Sequence, residues 1–337
     1  MRSRWSAALL GAVGACVAGW LAYGGGAEAG SEPNRVIRPC VLLLIFDPIL
    51  EASGHRRLHE ALGFRDPDAL TDGYIRDVRQ LSHNLIDYQV VQRVLLDEFP
   101  VKKDGFRYDD AGFIQAWRSR KGFHQPDAVD YHAILKRFDV ASRVNRGEID
   151  EVWIQGMPYS GLWESTMAGK GAYFCNSDPV PGVAANRIFV VMGFNYERGV
   201  GEMLENLGHR TESIMRRVYG SWEPYPTHAW NRFTLYDRVA PGRAGCGNVH
   251  FAPNSTRDYE WGNKTPVFST ADDWLNYPRL TGAPRLVTAV DWGGGEIRAH
   301  HRWWFTRLPH SPGRGPDGKL ANWWKYVIDF NRYRESR

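Results

Sequence analysis

Residues 187–219, RIFVVMGFNYERGVGEMLENLGHRTESIMRRVY, decide the fold of this chain. The first eight residues form an apolar run that predicts a buried strand, and the remainder has the periodicity of an amphipathic helix. At about 100° per residue, one arc of the helix carries apolar side chains: Val200, Met203, Leu204, Leu207, Ile214, Met215 and Val218. The opposite arc is polar: Arg198, Glu202, Glu205, His209, Glu212, Ser213 and Arg216. A strand that leads directly into such a helix is the basic unit of an α/β protein.

The same alternation of strands and helices precedes this unit. Apolar runs at 41–46, 88–96 and 152–155 predict further strands, and helical patterns begin near Asp68, Asp109 and either Asp127 or Asp130. We therefore predict an α/β core over residues 30–219, with a mainly parallel sheet and flanking helices. Residues 220–337 are rich in tryptophan and irregular in pattern, with short strands predicted at 286–290 and 297–305. We expect this region to pack on the same core as an appendage or lid.

The first 29 residues have the pattern of a secretory signal peptide. Arg2 and Arg4 precede an apolar run at 7–23, and Ala27-Glu28-Ala29 fits a small-x-small cleavage site. The sequence thus predicts a secreted or periplasmic protein, with an uncleaved N-terminal membrane anchor as the alternative. No later segment is long and apolar enough to predict a span.

Composition and missing motifs narrow the classes of function. The chain has 42 Lys and Arg against 38 Asp and Glu and no basic block, which argues against a nucleic-acid partner. Beyond residue 29 it lacks the glycine-rich nucleotide motifs, C-x-x-C and G-x-S-x-G. Of the remaining cysteines, we predict a disulfide between Cys175 and Cys246, with Cys40 as a buried thiol.

The polar arc of the 195–219 helix has two interpretations. Its i,i+4 pairs of opposite charge are typical of a solvated face and contribute only about 0.2–0.5 kcal/mol each. However, Gly199, Gly201 and Gly208 border the arc, and an interior glycine costs a helix about 0.8–1 kcal/mol relative to alanine. This cost favours a close approach by another chain segment or a ligand, and hence a functional site on the polar arc.

Our first hypothesis for the function is an exported hydrolase that acts on an extracellular or cell-envelope glycan without a cofactor. Such hydrolysis needs two carboxyl groups on opposite sides of the scissile bond. The acid/base candidates are Glu202 and Glu205, with His209 to tune their pKa values and Asp47 to oppose them from a strand end. The candidates for substrate binding are Asn195, Tyr159, Trp303 and Trp324.

Two alternatives belong to other classes. One is a metal-dependent hydrolase of peptides or esters, in which zinc is bound by His209, Glu212 and a distant histidine such as His250, His300 or His301. The segment 201–208 keeps only the glutamate and the glycine of the zinc-peptidase pattern H-E-x-x-H-x-x-G, so that standard site cannot form. The other alternative is a non-catalytic carbohydrate-binding or envelope-associated protein, in which tryptophans recognise the ligand and the polar arc is only solvated.

Overall fold

A five-stranded sheet lies at the centre of the structure, a computed structural model that describes residues 35–335. The strands are β1 (Cys40–Phe46), β2 (Ile49–Leu50), β3 (Arg56–Arg57), β4 (Gln89–Leu96), β5 (Glu151–Gly156), β6 (Ser165–Ala168), β7 (Phe189–Asn195), β8 (Val267–Ser269), β9 (Arg285–Val287), β10 (His310–Arg314) and β11 (Leu320–Asn322). The helices are α1 (Leu58–Leu62), α2 (Pro67–Leu81), α3 (Asp110–Ser119), α4 (Tyr131–Arg137), α5 (Val140–Asn145), α6 (Val200–Tyr219), α7 (Ala229–Thr234), α8 (Ile297–Thr306) and α9 (Trp323–Ile328).

The central sheet has the strand order β4-β1-β5-β7-β6. Strands β4, β1, β5 and β7 are parallel, and β6 pairs antiparallel with β7 at the edge. In register, Leu43 lies opposite Trp153, which lies opposite Met192. All residues of β1 and β5 are buried, as expected for parallel strands that are covered on both faces. The predicted α/β fold with a mainly parallel sheet is confirmed.

Some predicted elements differ from those in the structure. The helix predicted near residue 130 is divided into α4 and α5, because Asp139 adopts a left-handed conformation with φ 48°. The strand predicted at 297–305 is wrong: these residues form α8, whose first turn is capped by the Glu296 carboxylate. Of the strand predicted at 286–290, the structure has the short β9, followed by a 3₁₀ turn at Ala289–Trp292. The edge strand β6 was not predicted, since its four residues are too few to form a pattern.

Helix α6 is packed on several sides. It contacts the sheet through β6 and β7, and it also contacts α2, α8 and α9. A Cβ atom at Gly201 would lie 2.7 Å from Ile297 Cγ2 and 2.9 Å from the Arg298 backbone nitrogen, so the glycine lets α8 approach. At Gly208 a Cβ atom would lie 2.5 Å from Val249 Cγ2. The costly glycines at these two positions are explained by close packing of other segments.

A buried ion pair joins α6 to the sheet and to α9. Arg210 Nη2 donates to Glu151 Oε1 at 2.7 Å and to the Val327 carbonyl oxygen at 2.9 Å. The indole Nε1 of Trp153 donates to the other oxygen of Glu151 at 2.9 Å. Both charged side chains are fully enclosed, so each depends on the other for the interactions that water would otherwise supply.

The C-terminal region brings a cluster of aromatic rings to the same core. Its fully buried tryptophans are Trp230, Trp292, Trp304, Trp323 and Trp324. The ring of Trp324 stacks on Phe305 at 5.5 Å between centroids. Trp303 is also buried and packs between Trp292 and the Arg307 guanidinium. These side chains fill the interior, and Trp324, which was predicted to bind substrate, has no surface with which to contact one.

Two sequence predictions concern features that the structure leaves open. The predicted signal peptide, residues 1–29, lies outside the described residues. The predicted Cys175–Cys246 disulfide stays a prediction: in the structure both thiols are buried and no bond joins them. Cys175 Sγ lies 3.7 Å from Ser165 Oγ, whereas Cys246 Sγ lies 3.8 Å from the Ala271 carbonyl oxygen. Within residues 35–335, no helix combines the length and apolar character needed to cross a membrane.

We expect Glu151→Leu to lower the free energy of unfolding by about 3–5 kcal/mol, because it leaves the Arg210 guanidinium buried without a counter-charge. The double variant Glu151→Leu/Arg210→Met should recover most of this loss, since neither charge then remains. Urea denaturation of the wild type and the two variants measures the difference. An equal loss in both variants would show that packing, not charge, accounts for the effect.

Candidate metal centre

The centre of the candidate site is a pair of side chains on one face of α6. Glu205 and His209 are separated by four residues, which places them one helical turn apart. Glu205 Oε1 lies 4.0 Å from His209 Nε2. Glu205 is only 4% exposed and the His209 side chain only 16%. The interpretation of this arc as a solvated face is therefore wrong for these two residues.

A second histidine comes from the loop that packs against Gly208. His250 Nε2 lies 3.1 Å from His209 Nε2 and 3.4 Å from Glu205 Oε1. The loop is held to α6 by a hydrogen bond in which the Val249 backbone nitrogen donates to Glu212 Oε1 at 3.0 Å. Three potential ligand atoms, one each from Glu205, His209 and His250, thus lie within 4.8 Å of one another.

The outer nitrogens of the two imidazoles both face carboxylates. His209 Nδ1 lies 3.0 Å from Glu212 Oε2, and His250 Nδ1 lies 3.1 Å from Asp258 Oδ1. A carboxylate accepts a hydrogen bond but cannot donate one. Each Nδ1 must therefore carry a hydrogen, and in a neutral imidazole the lone pair is then on Nε2. A cation between the two imidazoles, either a proton or a metal ion, would satisfy both lone pairs across this 3.1 Å gap.

The distances suit a divalent transition metal. Two nitrogen ligands of tetrahedral zinc, each with a bond of about 2.0–2.1 Å, lie about 3.3 Å apart. The observed separations of 3.1 Å between the imidazoles and 3.4 Å between His250 and Glu205 are close to this value, and the third, 4.0 Å between Glu205 and His209, is wider. Histidines that ligate metals usually donate their other N–H to a carboxylate or carbonyl oxygen, which fixes the tautomer. Glu212 and Asp258 are placed for this role.

The same groups shift the pKa values toward positive imidazoles and a negative carboxylate. Burial alone would lower the pKa of His209, but the hydrogen bond to Glu212 and the charges of Glu212, Glu164 and Glu205 raise it to about 9. Burial would also lower the pKa of His250, but its hydrogen bond to Glu205 raises the pKa above its usual value. Burial would raise the pKa of Glu205, but the hydrogen bond from His250 lowers it. The site therefore has a negative field that attracts cations.

Two further side chains border the gap. Glu164 Oε2 lies 3.7 Å from His209 Nε2, and the Glu164 carboxylate accepts a hydrogen bond from Asn176 Nδ2. The Tyr259 hydroxyl lies 2.9 Å from His250 Nε2. Tyr259 has a left-handed backbone with φ 56°, which is uncommon for an aromatic residue and often marks a functional position.

A cavity opens on either side of the Glu164 carboxylate. The larger, of about 970 Å³, is lined by His209, Glu212 and Asn176 together with residues further along α6. The smaller, of about 270 Å³, is lined by Glu164 itself and by residues that include Tyr159 and Trp163. Because Asn176 and His209 both contact Glu164, the carboxylate lies between the two cavities.

The structure separates two of the predicted catalytic residues from this cluster. Asp47 is buried, and its oxygens accept hydrogen bonds from the backbone nitrogen and the imidazole of His59. Glu202 Oε2 accepts a hydrogen bond from the Gly199 backbone nitrogen at 2.9 Å and caps the first turn of α6. Within residues 35–335, the acidic side chains within 4.0 Å of the His209 ring are Glu164, Glu205 and Glu212.

Two of the three predicted metal ligands belong to the observed cluster. His209 and His250 do meet, but Glu205 takes the position expected for Glu212, which orients His209 from behind. His300 and His301 are fully buried in α8. His301 Nε2 lies 3.2 Å from the Val249 carbonyl oxygen, so it supports the loop and does not point at the gap.

The predicted substrate-binding residues Asn195 and Tyr159 both line the smaller cavity. Glu164, Asp258 and Tyr259 were not identified from the sequence. They lie in loops far from α6 along the chain, and no spacing rule connects them to it. The sequence pointed to this part of α6 through the polar arc, which carries Glu205, His209 and Glu212, and through the bordering glycine at 208.

No protein-family model matches the chain, and the searches of curated proteins and of solved structures found no match either.

We expect Gly208→Ala to lower the free energy of unfolding by about 1–3 kcal/mol, as overpacked substitutions do, because the new methyl group would overlap Val249. In a Val249→Ala background the same substitution should be close to neutral, since the overlapping methyl groups are gone. A double-mutant cycle by chemical denaturation measures this coupling. Equal losses in both backgrounds would contradict the close contact.

The pKa of His209 offers a second test, made on the metal-free protein. Because the pKa is raised from 6.5 to about 9, the charged imidazole stabilises the fold fully below about pH 6.5 and loses this contribution as the pH rises through about 9. Glu212→Gln should lower the pKa, which NMR titration of the histidine side chains measures. Glu197→Gln, at an exposed position, serves as the control and should leave it unchanged. An unchanged pKa in Glu212→Gln would rule out Glu212 as the main source of the shift.

Proposed function

We propose that the protein is a metal-dependent hydrolase whose Zn²⁺ ion is bound by Glu205, His209 and His250. The observation that carries the proposal is the convergence of two Nε2 atoms at 3.1 Å while both Nδ1 atoms face carboxylates. Two imidazoles and one carboxylate are a ligand set of catalytic zinc, which leaves a fourth position for water. Zinc would lower the pKa of that water and polarise a carbonyl group.

The neighbouring side chains supply the remaining chemistry. Glu164 is half-exposed and lies 3.7 Å from His209 Nε2, where its carboxylate can accept a proton from water beside the centre. In hydrolysis of an ester or amide, the water oxygen adds to the carbonyl carbon and the bond to the leaving group breaks. Glu164 would take the proton from water and transfer it to the leaving group. The Tyr259 hydroxyl, close to both His250 and Glu205, would donate a hydrogen bond to the carbonyl oxygen as negative charge develops there.

This geometry favours the metal-dependent hydrolase over the carboxylate glycosidase of our first hypothesis. That mechanism needs a pair of carboxyl groups facing one bond, yet Asp47 is occupied by His59 and Glu202 by the helix N-terminus. The two-histidine, one-carboxylate set also suits Fe²⁺ in oxygen-dependent enzymes. The adjacent Glu164 favours hydrolysis, because a base that accepts a proton from water is what hydrolysis requires.

We expect the purified protein to contain about one zinc ion per chain, as a catalytic site of three protein ligands would hold. Glu205→Gln and His209→Ala should each lower the zinc content about tenfold or more, because each removes a ligand. Glu197→Gln is the control and should keep full occupancy. Elemental analysis after dialysis makes the measurement. Stoichiometric iron, or retention of zinc in both ligand variants, would be incompatible with this centre.

Glu164→Gln should separate metal binding from catalysis. We expect the variant to keep its zinc but to lose about 10²–10⁴-fold in kcat, since it lacks the general base. The assay follows hydrolysis of p-nitrophenyl acetate and of a dipeptide series, with and without chelator. Full turnover in the chelated wild type, or in Glu164→Gln, would rule out the mechanism.

A further inference from the structure

The two cavities beside Glu164 differ in chemistry, and together they indicate a substrate class. Resting on the proposed hydrolase, we infer that the substrate is an acidic glycan that carries an ester or amide substituent. A sugar ring of this glycan stacks on Tyr159 and Trp163 in the smaller cavity. Its acidic group reaches Arg216 in the larger cavity, so the glycan lies across the metal centre.

The smaller cavity has an exposed aromatic surface, which we call the aromatic platform and define as Tyr159 and Trp163. Tyr159 is 42% exposed and Trp163 is 53% exposed, although both are large apolar residues. Both line the smaller cavity together with Glu164. Flat aromatic faces suit sugar rings, because the C–H faces of a pyranose are apolar while its hydroxyls need polar partners. Asn195 and Glu202 line the same cavity and supply such partners.

The aromatic platform is held in place by buried interactions. Phe123 stacks on the Tyr159 ring with centroids 3.4 Å apart and an interplanar angle of 16°. Lys102, whose side chain is 1% exposed, donates from Nζ to the Tyr159 carbonyl oxygen at 2.6 Å and to Asp127 at 2.5 Å. These bonds fix Tyr159 in a left-handed conformation with φ 59°. A side chain ordered before binding loses less entropy when a ligand arrives, so the rigid and exposed ring is suited to recognition.

The larger cavity has an excess of positive charge. Arg216 and Arg217, both exposed, follow His209 along α6 and line this cavity. Among the described residues, no carboxylate lies within ion-pair distance of either guanidinium, and Arg217 instead covers the Tyr173 ring at 4.2 Å. Glu212 in the same cavity is bound to His209 and to the loop. An unpaired arginine binds carboxylates and sulfates strongly, which accounts for the acidic character of the proposed glycan.

The candidate metal centre lies beside both cavities. Glu164 lines the smaller cavity and lies 3.7 Å from His209, which lines the larger one. A chain with one sugar on the aromatic platform and an acidic group at Arg216 would pass Glu164 and His209, beside which its acyl substituent would be hydrolysed. Water adds to the acyl carbonyl carbon, the bond to the glycan oxygen or nitrogen breaks, and Glu164 delivers the proton to that atom.

Binding measurements on the Glu164→Gln protein as purified, with its zinc content determined, test this inference. The probes are tetragalacturonate, which is acidic, and tetra-N-acetylchitotetraose and cellotetraose, which are neutral. We expect Tyr159→Ala and Trp163→Ala to weaken the binding of tetragalacturonate about tenfold each, the size of one stacking contact. Tyr225→Ala removes an equally exposed aromatic side chain outside both cavities and should have no effect.

Charge recognition is measured with the same probes. Arg216→Gln should weaken the binding of tetragalacturonate about tenfold, as loss of a charged hydrogen bond does. The binding of the neutral tetrasaccharides should be unchanged. The inference is supported if tetragalacturonate binds more tightly than the neutral probes and if Tyr159→Ala, Trp163→Ala and Arg216→Gln weaken its binding. Failure of all three probes to bind, or affinities unchanged in Tyr159→Ala and Trp163→Ala, overturns it.

The outcomes also distinguish this inference from the proposed function. If zinc is stoichiometric and a dipeptide is cleaved but no tetrasaccharide binds, the proposed metal-dependent hydrolase is supported and the proposed glycan substrate is wrong. If tetragalacturonate binds through the aromatic platform but neither zinc nor turnover is found, glycan recognition is supported and the metal-dependent hydrolase is wrong.

Discussion

The enclosure of α6 is the constraint on which the rest of the structure depends. The sheet, α2, α8, α9 and the loop before His250 all pack against this helix. Buried polar groups are costly unless they form hydrogen bonds, so each buried polar side chain on α6 needs a partner inside the protein. Arg210 binds Glu151 and the Val327 carbonyl oxygen, and Asn206 Nδ2 donates to the Gly193 carbonyl oxygen at 2.7 Å. These bonds attach the helix to the sheet and to the C-terminal region.

The same constraint explains the arrangement of the candidate site. The buried carboxylate of Glu212 has two partners. One oxygen accepts a hydrogen bond from the Val249 backbone nitrogen, and the other faces His209 Nδ1. In this way a single carboxylate fixes both the loop and the orientation of an imidazole. Once His250 is fixed by Asp258 in the same way, the inner nitrogens of the two imidazoles face each other and Glu205. The carboxylates of Glu212 and Asp258 bind the outer nitrogens of the two imidazoles. A space for a cation therefore remains between the inner nitrogens.

Aromatic side chains have two different roles in this protein. Nearly all of the C-terminal tryptophans are interior, where their large rings fill the core of an irregular region. Trp163 and Tyr159 are exposed instead, beside the candidate metal centre. Residue type alone could not distinguish these roles: Trp303 and Trp324 were predicted to bind substrate, yet Trp324 is fully enclosed. Trp163, one of the tryptophans that precede the C-terminal cluster, has no sequence pattern that marks it.

Local spacing in the sequence determined the β7–α6 unit, the apolar arc of α6, the parallel sheet and the one-turn separation of Glu205 and His209. These features follow from periodicities of two or 3.6 residues, which act over short distances along the chain. Only the tertiary structure decided that Glu205 and Glu212 on the polar arc are buried, that His250 meets His209 across 41 positions of sequence, and that Glu164 and Asp258 join them. It also decided that Asp47 is bound by His59 and that residues 297–306 form a helix. The reason is physical: contacts between distant segments depend on how loops pack against the finished core, and here the absence of a side chain at Gly208 lets Val249 and His250 approach α6.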